Sequence, residues 1–361
     1  MASTKKISLV DIYFIFLLAS GFTNHVVLMP LLLLTAKRDA WLGVLLATIL
    51  HMIWVYVYFA IIKRTRRQPL RIWFKERLGG AGSGLLLAAA FIFCFAMAVI
   101  TLRETTTWIK ATYLPQTPKV VVLLVLILLC VYIASNGLRS IAVMSGILLP
   151  FVWLLGHFVG LANLGYKNYS LLTPLFVDGV MPMLKSMVIA GGGLMEMVVL
   201  IFIQHHFSQQ PSYLSLAGLA ALLGGLALGP LIGAIANFGP EVASHSRYAA
   251  FDQWKLVTLS KYINHLDFLA LYQWLAGAVI RIALFLFIIS DMMPFKRRRR
   301  RLTLLLLMGA ALAVLLLDNR VDRIVESYVL GEYFLIPISF LALLTLSIAL
   351  TTVFKPAARG D

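Results

Sequence analysis

Along this chain the hydrophobic positions neither alternate nor recur every third or fourth residue. They fill whole segments of roughly 16–26 residues, separated by short stretches rich in charge, proline and glycine. A segment that is apolar on every face needs an apolar solvent, and about 20 such residues cross a bilayer as a helix. The pattern predicts ten helices, near 9–34, 40–62, 84–108, 119–135, 140–162, 181–204, 213–236, 268–290, 302–317 and 333–354. The predicted fold is an all-α polytopic membrane protein, with residues 1–361 forming one transmembrane domain.

Composition agrees. Of 361 residues, 61% are hydrophobic and 13% charged, and the mean hydropathy is +0.92. Disorder and disulfide scaffolds are excluded on that balance, and no polar stretch is long enough to build an extramembrane catalytic domain. The net charge of +16 would suggest nucleic acid in a soluble protein. Here the basic residues gather in two short connectors, Lys63 to Arg77 and Lys296 to Arg301, with no aromatic platform for stacking bases. They predict cytoplasmic loops against anionic lipid, with both termini cytoplasmic and no nucleic acid as partner. The run Lys296 to Arg301 also suits docking of an acidic partner face. The stretch Arg71 to Arg77 suits a helix lying in the interface plane. The N-terminal apolar segment is too long for a cleaved signal and reads as the first span. Cys94 and Cys130 fall inside predicted helices as small buried hydrophobes, with no disulfide expected.

Two spans carry residues that a continuous membrane helix would avoid. The first contains Ser20-Gly21-Phe22-Thr23-Asn24-His25 at its middle, and the sixth contains Gly191-Gly192-Gly193 followed by Glu196. Glycine costs about 1 kcal/mol relative to alanine in a helix, and polar groups at bilayer depth need protein or a cavity to satisfy them. The two anomalies open the two five-helix halves, about 170 residues apart. That is the pattern of a 5+5 inverted repeat of the LeuT type, with helices 1 and 6 discontinuous around a midplane site. Broken helices offer amides to an anion and carbonyls to a cation, so a zwitterion such as an amino acid suits both. The plainer reading is that the glycines admit a neighbouring helix, as in Gly156-xxx-Gly160 or Gly225-xxx-Gly229.

Ionisable residues within spans are functional candidates by default. Glu196 has three readings: contact with a ligand ammonium or coupling ion, a protonated packed group, or an ion pair with Arg281. Lys185, Arg103 and Glu104 lie near span ends and are expected to snorkel to the interface. His25, His51 and His157 fall on different helices and read as hydrogen-bonded buried imidazoles, and His205-His206 as solvated. No nucleophile–base cluster, P-loop or metalloprotease motif occurs. No enzymatic activity, cofactor or metal is expected.

Several short segments, in order along nearly the whole chain, carry a family resemblance. They are Asp39-Ala40-Trp41-Leu42, Tyr113-Leu114-Pro115-Gln116-Thr117-Pro118, Asn136-Gly137-Leu138, Leu172-Thr173-Pro174, Gly193-xx-Glu196, Gly239-Pro240-Glu241 and Asn264-His265-Leu266-Asp267-Phe268-Leu269. Together they resemble the B subunits of bacterial spore germinant receptors, a permease-like family within the amino acid–polyamine–organocation superfamily. The resemblance implies a nutrient-sensing subunit of the spore inner membrane, working with an A subunit and a C lipoprotein. A proton- or sodium-coupled amino acid or polyamine permease is the alternative. On the paired-break reading, the amides of Thr23, Asn24 and His25 hold the ligand carboxylate. The carbonyls of Ala19, Ser20, Ala190 and Gly191 take its ammonium, and Gly21, Gly192, Gly193 and Glu196 complete the site. Phe95, Val99, Tyr272 and Gln273, on the third and eighth spans, are the candidates for side-chain selectivity.

Overall fold

The computed structural model describes residues 6–258, 266–295, 297–329 and 335–353. Asn264, His265 and Lys296 lie outside them, as do both chain ends. Among the described residues the chain is helical, with a single isolated bridge between Ile7 and Phe207. Over its described residues, each of the ten apolar segments is largely helical. In order they are α1 (Leu9–Phe22) with α2 (Met29–Ala36), α3 (Ala40–Arg64), α4 (Leu70–Thr112), α5 (Lys119–Ser135) and α6 (Leu138–Ala162). There follow α7 (Met181–Leu194) with α8 (Val199–Phe202), α9 (Tyr213–Phe238), two short helices α10 (Pro240–His245) and α11 (Ala249–Lys255), then α12 (Phe268–Met292), α13 (Arg298–Leu317), the polar α14 (Asn319–Val329) and α15 (Leu335–Thr351). Seven helical stretches among the described residues are long and apolar enough to cross a membrane. One of them, Leu9–Arg64, is turned sharply at Lys37, and two further apolar helices are shorter.

Local chemistry sets the ends. Ser8 caps α1 by accepting from the Asp11 amide. Gly239, at φ +76°, ends α9 in a conformation that suits glycine, and Pro240 opens the next helix at its first turn. The third segment starts earlier than the hydrophobic pattern predicts. α4 begins at Leu70 and kinks at Gly79, φ +69°, so the amphipathic stretch Arg71 to Arg77 is its separate first arm.

α12 runs through the middle of the bundle, buried continuously from Ala276 to Ser290, and packs against α1 and α4. α3 packs against α7 and α9. The approach of α3 to α7 is close: a Cβ at Gly43 would lie 2.8 Å from the Met187 backbone nitrogen. Both cysteines are buried and free.

The expected discontinuities take another form. The first segment passes from α1 through a π-helical turn, Thr23–Leu28, into α2 without leaving helical geometry, and the Met29 amide donates to the carbonyl of Asn24, five residues back. In the sixth, Gly191–Gly193 remain in α7, and the change falls just beyond, in a 3-10 turn at Met195–Val198. The physical reason lies in the neighbours. Asn24 and His25 find carbonyl partners on α9 and Thr23 finds Glu196, so widening by one residue per turn suffices and no unwinding is needed. Gly193 lets Leu28 lie close against the helix, since a Cβ there would collide with Leu28 Cδ1.

Candidate functional site

The π turn and the 3-10 turn face each other, and between them lies a buried ion pair. Arg281 of α12 reaches Glu196 with both terminal nitrogens, at 2.7 Å to each carboxylate oxygen. Glu196 is 6% and Arg281 3% exposed, so neither charge has water to rely on. Thr23 Oγ1 donates to Glu196 Oε2 at 3.2 Å. Arg281 Nε donates to Thr101 Oγ1 at 3.0 Å, and Nη1 lies 3.4 Å from the Ala19 carbonyl. The bidentate fork and these extra bonds supply what a desolvated pair needs to persist.

Beside the pair is a cavity of about 50 Å3. Its polar lining is Thr23, Thr101, Glu196 and Arg281. Gly192 and Gly193 of α7 leave it room, Leu28, Met97 and Ile100 form apolar walls, and Pro337 and Leu341 of α15 close one side. About 10–15 Å3 of such space suffices for one water, so the cavity takes a few waters. A larger guest enters only by moving the side chains that close it.

Of the residues singled out in the sequence, Thr23, Gly192, Gly193 and Glu196 line this cavity, and Ala19 touches it through Arg281. The others are placed elsewhere or face away. Asn24 Nδ2 donates to Leu223 O at 3.1 Å and His25 Nε2 to Leu226 O at 3.0 Å, both on α9. Pro230 lacks the amide that would bond Leu226 O within the helix, and His25 fills that vacancy. Gly21 packs toward Leu226, Gly191 toward Ile338, and Ser20 and Ala190 are buried without lining the cavity. Phe95 stacks on Phe91, Val99 is buried away from the cavity, Tyr272 meets Phe151 edge-on, and Gln273 bonds Trp254 and the Val152 carbonyl. On α4 it is Phe93, Met97, Ile100 and Thr101 that line the cavity, at the same depth as Phe95 and Val99 but centred on the opposite side of the helix. Tyr272 and Gln273 lie roughly 12 Å along the axis from Arg281.

A second charged cluster closes the bundle above the pair. Glu104, wholly buried, accepts from Arg103 at 2.7 Å and from Arg247. Arg103 also reaches Asp322 at 3.2 Å and Glu326 at 3.6 Å on α14, and Lys119 lies 3.5 Å from Asp322. Arg247 Nη1 donates to the Val26 carbonyl of the π turn at 2.9 Å. Trp108 and Trp274 stack beneath at 3.9 Å. Arg103 and Glu104 therefore do not snorkel, because each finds opposite charge inside the protein. Burial would raise the Asp322 carboxyl, but Arg103 and Lys119 outweigh it and hold it below the usual carboxylate range.

The opposite end is tied by the chain before α1. Ile7 N donates to His206 O at 2.9 Å, and Ser208 N to Ile7 O at 2.8 Å. His205 and His206 are not simply solvated: both Nε2 atoms lie 3.0 Å from Asp291 Oδ2. Of the other histidines, His157 is exposed and bonded to its own helix at Trp153 O. His51 is buried against Tyr58, with Nε2 unpartnered among the described residues.

A family model described as Spore germination protein (Spore_permease) matches residues 5–323. Spore germination protein XB of Bacillus anthracis is 39% identical over 275 residues, covering 76% of this chain and 77% of that protein. Spore germination protein KB of Bacillus subtilis (strain 168) is 21% identical over 261 residues, 70% of this chain and 69% of its own. The putative spore germination protein YfkT of the same organism is 24% identical over 268 residues, 74% of each chain. With its polytopic helical architecture, a match along nearly its whole length and a relative this similar, the chain belongs to the spore germination protein family.

Proposed function

We propose that the chain is a nutrient-sensing subunit of a spore germinant receptor, and that it binds a small zwitterion, an amino acid by preference, where Glu196 meets Arg281. The carrying observation is the bidentate pair beside the small cavity. Opening that pair for an apolar or singly charged guest strands at least one desolvated charge, which costs several kcal/mol. A zwitterion restores the balance, its carboxylate replacing Glu196 on Arg281 and its ammonium replacing Arg281 on Glu196. This assignment moves the recognition of charge from backbone amides and carbonyls to two side chains. The ten apolar helices then act as ten spans in a 5+5 inverted repeat, with both termini cytoplasmic in the spore inner membrane and A- and C-type receptor subunits as partners.

Because the guest must part Glu196 from Arg281, binding favours a rearranged state over the closed one, and that differential affinity is what a sensor transmits. The closure at both ends of the bundle also suits a carrier, so a coupled amino acid or polyamine permease is the second reading. Gradient-driven accumulation of labelled amino acid by proteoliposomes containing this chain alone would favour it.

The test is thermal unfolding of the purified full-length protein against a panel of amino acids, sugars and nucleosides, with Gly192→Ala alongside. A Cβ at Gly192 meets Ile338 at an unstrained 3.6 Å, and alanine gains about 1 kcal/mol of helix propensity. The variant is expected to be at least as stable as the parent. Its methyl group crowds the site, and with overpacking costs of about 1–3 kcal/mol it should weaken the responding ligand roughly tenfold. A response unchanged in Gly192→Ala, or one confined to sugars or nucleosides, contradicts the zwitterion site.

A further inference from the structure

On the outer side of α3, Ile49, Ile53 and Tyr56 are all exposed and are spaced three or four residues apart, so they form one apolar stripe along the helix. The stripe runs toward Arg64 and meets a cleft of about 580 Å3. Lys63, Arg64, Arg66 and Arg77 surround this cleft, Phe59 and Trp73 form its apolar wall, and among the described residues no carboxylate lines it. None of the four cations forms an ion pair among the described residues.

The cleft is built rather than incidental. The Arg77 guanidinium lies 3.2 Å over the Trp73 ring, and Trp73 Nε1 donates to Thr351 Oγ1 at 3.0 Å, which fixes the platform from α15. Arg64 Nη1 donates to Thr352 Oγ1 at 3.1 Å. The turn after α3 holds two consecutive arginines at positive φ, Arg66 at +49° and Arg67 at +59°. Such backbone persists only where its surroundings hold it. Here Thr65, buried, donates to Gln204 Oε1 at 2.9 Å, and Arg67 turns inward to Phe207 O at 2.8 Å. With Arg67 committed, Arg66 is left facing the cleft.

We propose that this cleft is a headgroup site for an anionic phospholipid, independent of the nutrient reading. The phosphate sits among Arg64, Arg66 and Arg77, whose planar forks suit its oxygens, and an acyl chain follows Ile49, Ile53 and Tyr56. A free phosphate satisfies the same arginines but leaves the stripe unused, which is why a lipid is the better fit. The bound lipid bridges α3, the first arm of α4 and the end of α15. α15 also supplies Pro337 and Leu341 to the central cavity.

The experiment titrates the full-length protein in mild detergent with phosphatidylglycerol, phosphatidylcholine or inorganic phosphate and follows the unfolding midpoint. Arg66→Gly is the informative variant, since glycine adopts positive φ freely and the turn should fold at least as well. Phosphatidylglycerol is expected to raise the midpoint well beyond phosphatidylcholine. Arg66→Gly should weaken its apparent affinity about fivefold, the worth of one basic residue at an anionic surface. Adding Arg77→Gln should weaken it further, while Arg298→Ala, in the other basic run, leaves it unchanged. Equal responses to the two lipids, or full phosphatidylglycerol affinity in the double variant, overturn the site. A shift by inorganic phosphate matching that of phosphatidylglycerol overturns the lipid assignment.

Discussion

Among its described residues the protein buries acidic groups against arginine in two places, and they are built on different principles. At the centre one carboxylate meets one guanidinium, both sealed from water, with two hydroxyls and a carbonyl completing the shell. Above it, Glu104 is shared by two arginines, and Arg103 is shared in turn by acids that reach solvent: Asp322 has 28% of its side chain exposed and Glu326 53%. The central pair is balanced and has no substitute partner among the described residues, so it changes only by exchange with something of matching charge. The upper cluster has redundant partners, so it can lose one contact and keep the rest. An exchange point for a zwitterion and a closure that rearranges in steps are the two tasks these arrangements suit.

The largest expected effect comes from breaking the balanced pair. Glu196→Ala leaves Arg281 buried and uncompensated, at a cost of about 3–5 kcal/mol, read as a fall in the denaturant midpoint of the purified protein. Replacing both partners, as Glu196→Leu with Arg281→Met, removes the charges together and should restore most of that stability. The double variant should nevertheless give no thermal response to any zwitterion. A response retained by the double variant would mean that the ligand binds elsewhere.

The contrast also explains what the sequence made legible. Helix positions follow from a one-dimensional property, the length of an apolar run, and the ten segments coincide with helices to within a few residues except where α4 begins early. Glu196 and Arg281 stood out because charge inside an apolar run is costly wherever it falls. The remaining site residues depend on rotation about helix axes, which uniformly apolar segments do not encode: with no polar face, nothing in the pattern distinguishes Met97 from Val99. The partners of the Ser20 to His25 stretch are hidden for a related reason. Asn24 and His25 are polar because α9 has carbonyls to satisfy, one of them freed by Pro230, and that partner lies some 200 residues away in sequence. His205, His206 and Asp291 likewise meet only through the packing of the 204–206 turn against the end of α12.

A smaller effect is expected at the redundant cluster. Arg247→Ala removes one partner from Glu104 and the bond to Val26 O, but Arg103 remains at 2.7 Å. A charge-assisted bond retained by half its partners should cost about 1.5 kcal/mol, the low end for such groups, well under the loss from Glu196→Ala in the same denaturation assay. If Arg247→Ala proves as damaging as Glu196→Ala, the redundancy is illusory and the two sites share one design.

The smallest effect separates the two sites by acidity. Arg103 and Lys119 hold the Asp322 carboxyl below the usual carboxylate range despite partial burial. A group whose folded value is depressed adds stability that is complete above its unfolded value, about 3.9 for aspartate. That contribution is lost as pH falls through the folded value. The attachment of α14 should therefore be indifferent to pH between about 5 and 8 and loosen only in acid below about 4. Hydrogen exchange at the α14 amides, corrected for the intrinsic pH dependence, reads this directly, and Asp322→Asn should show part of the loosening already at neutral pH. Loosening centred near pH 6 in the parent protein would assign control of this closure to a group other than Asp322, and the acidic rim would then be incidental to how the bundle closes above its central pair.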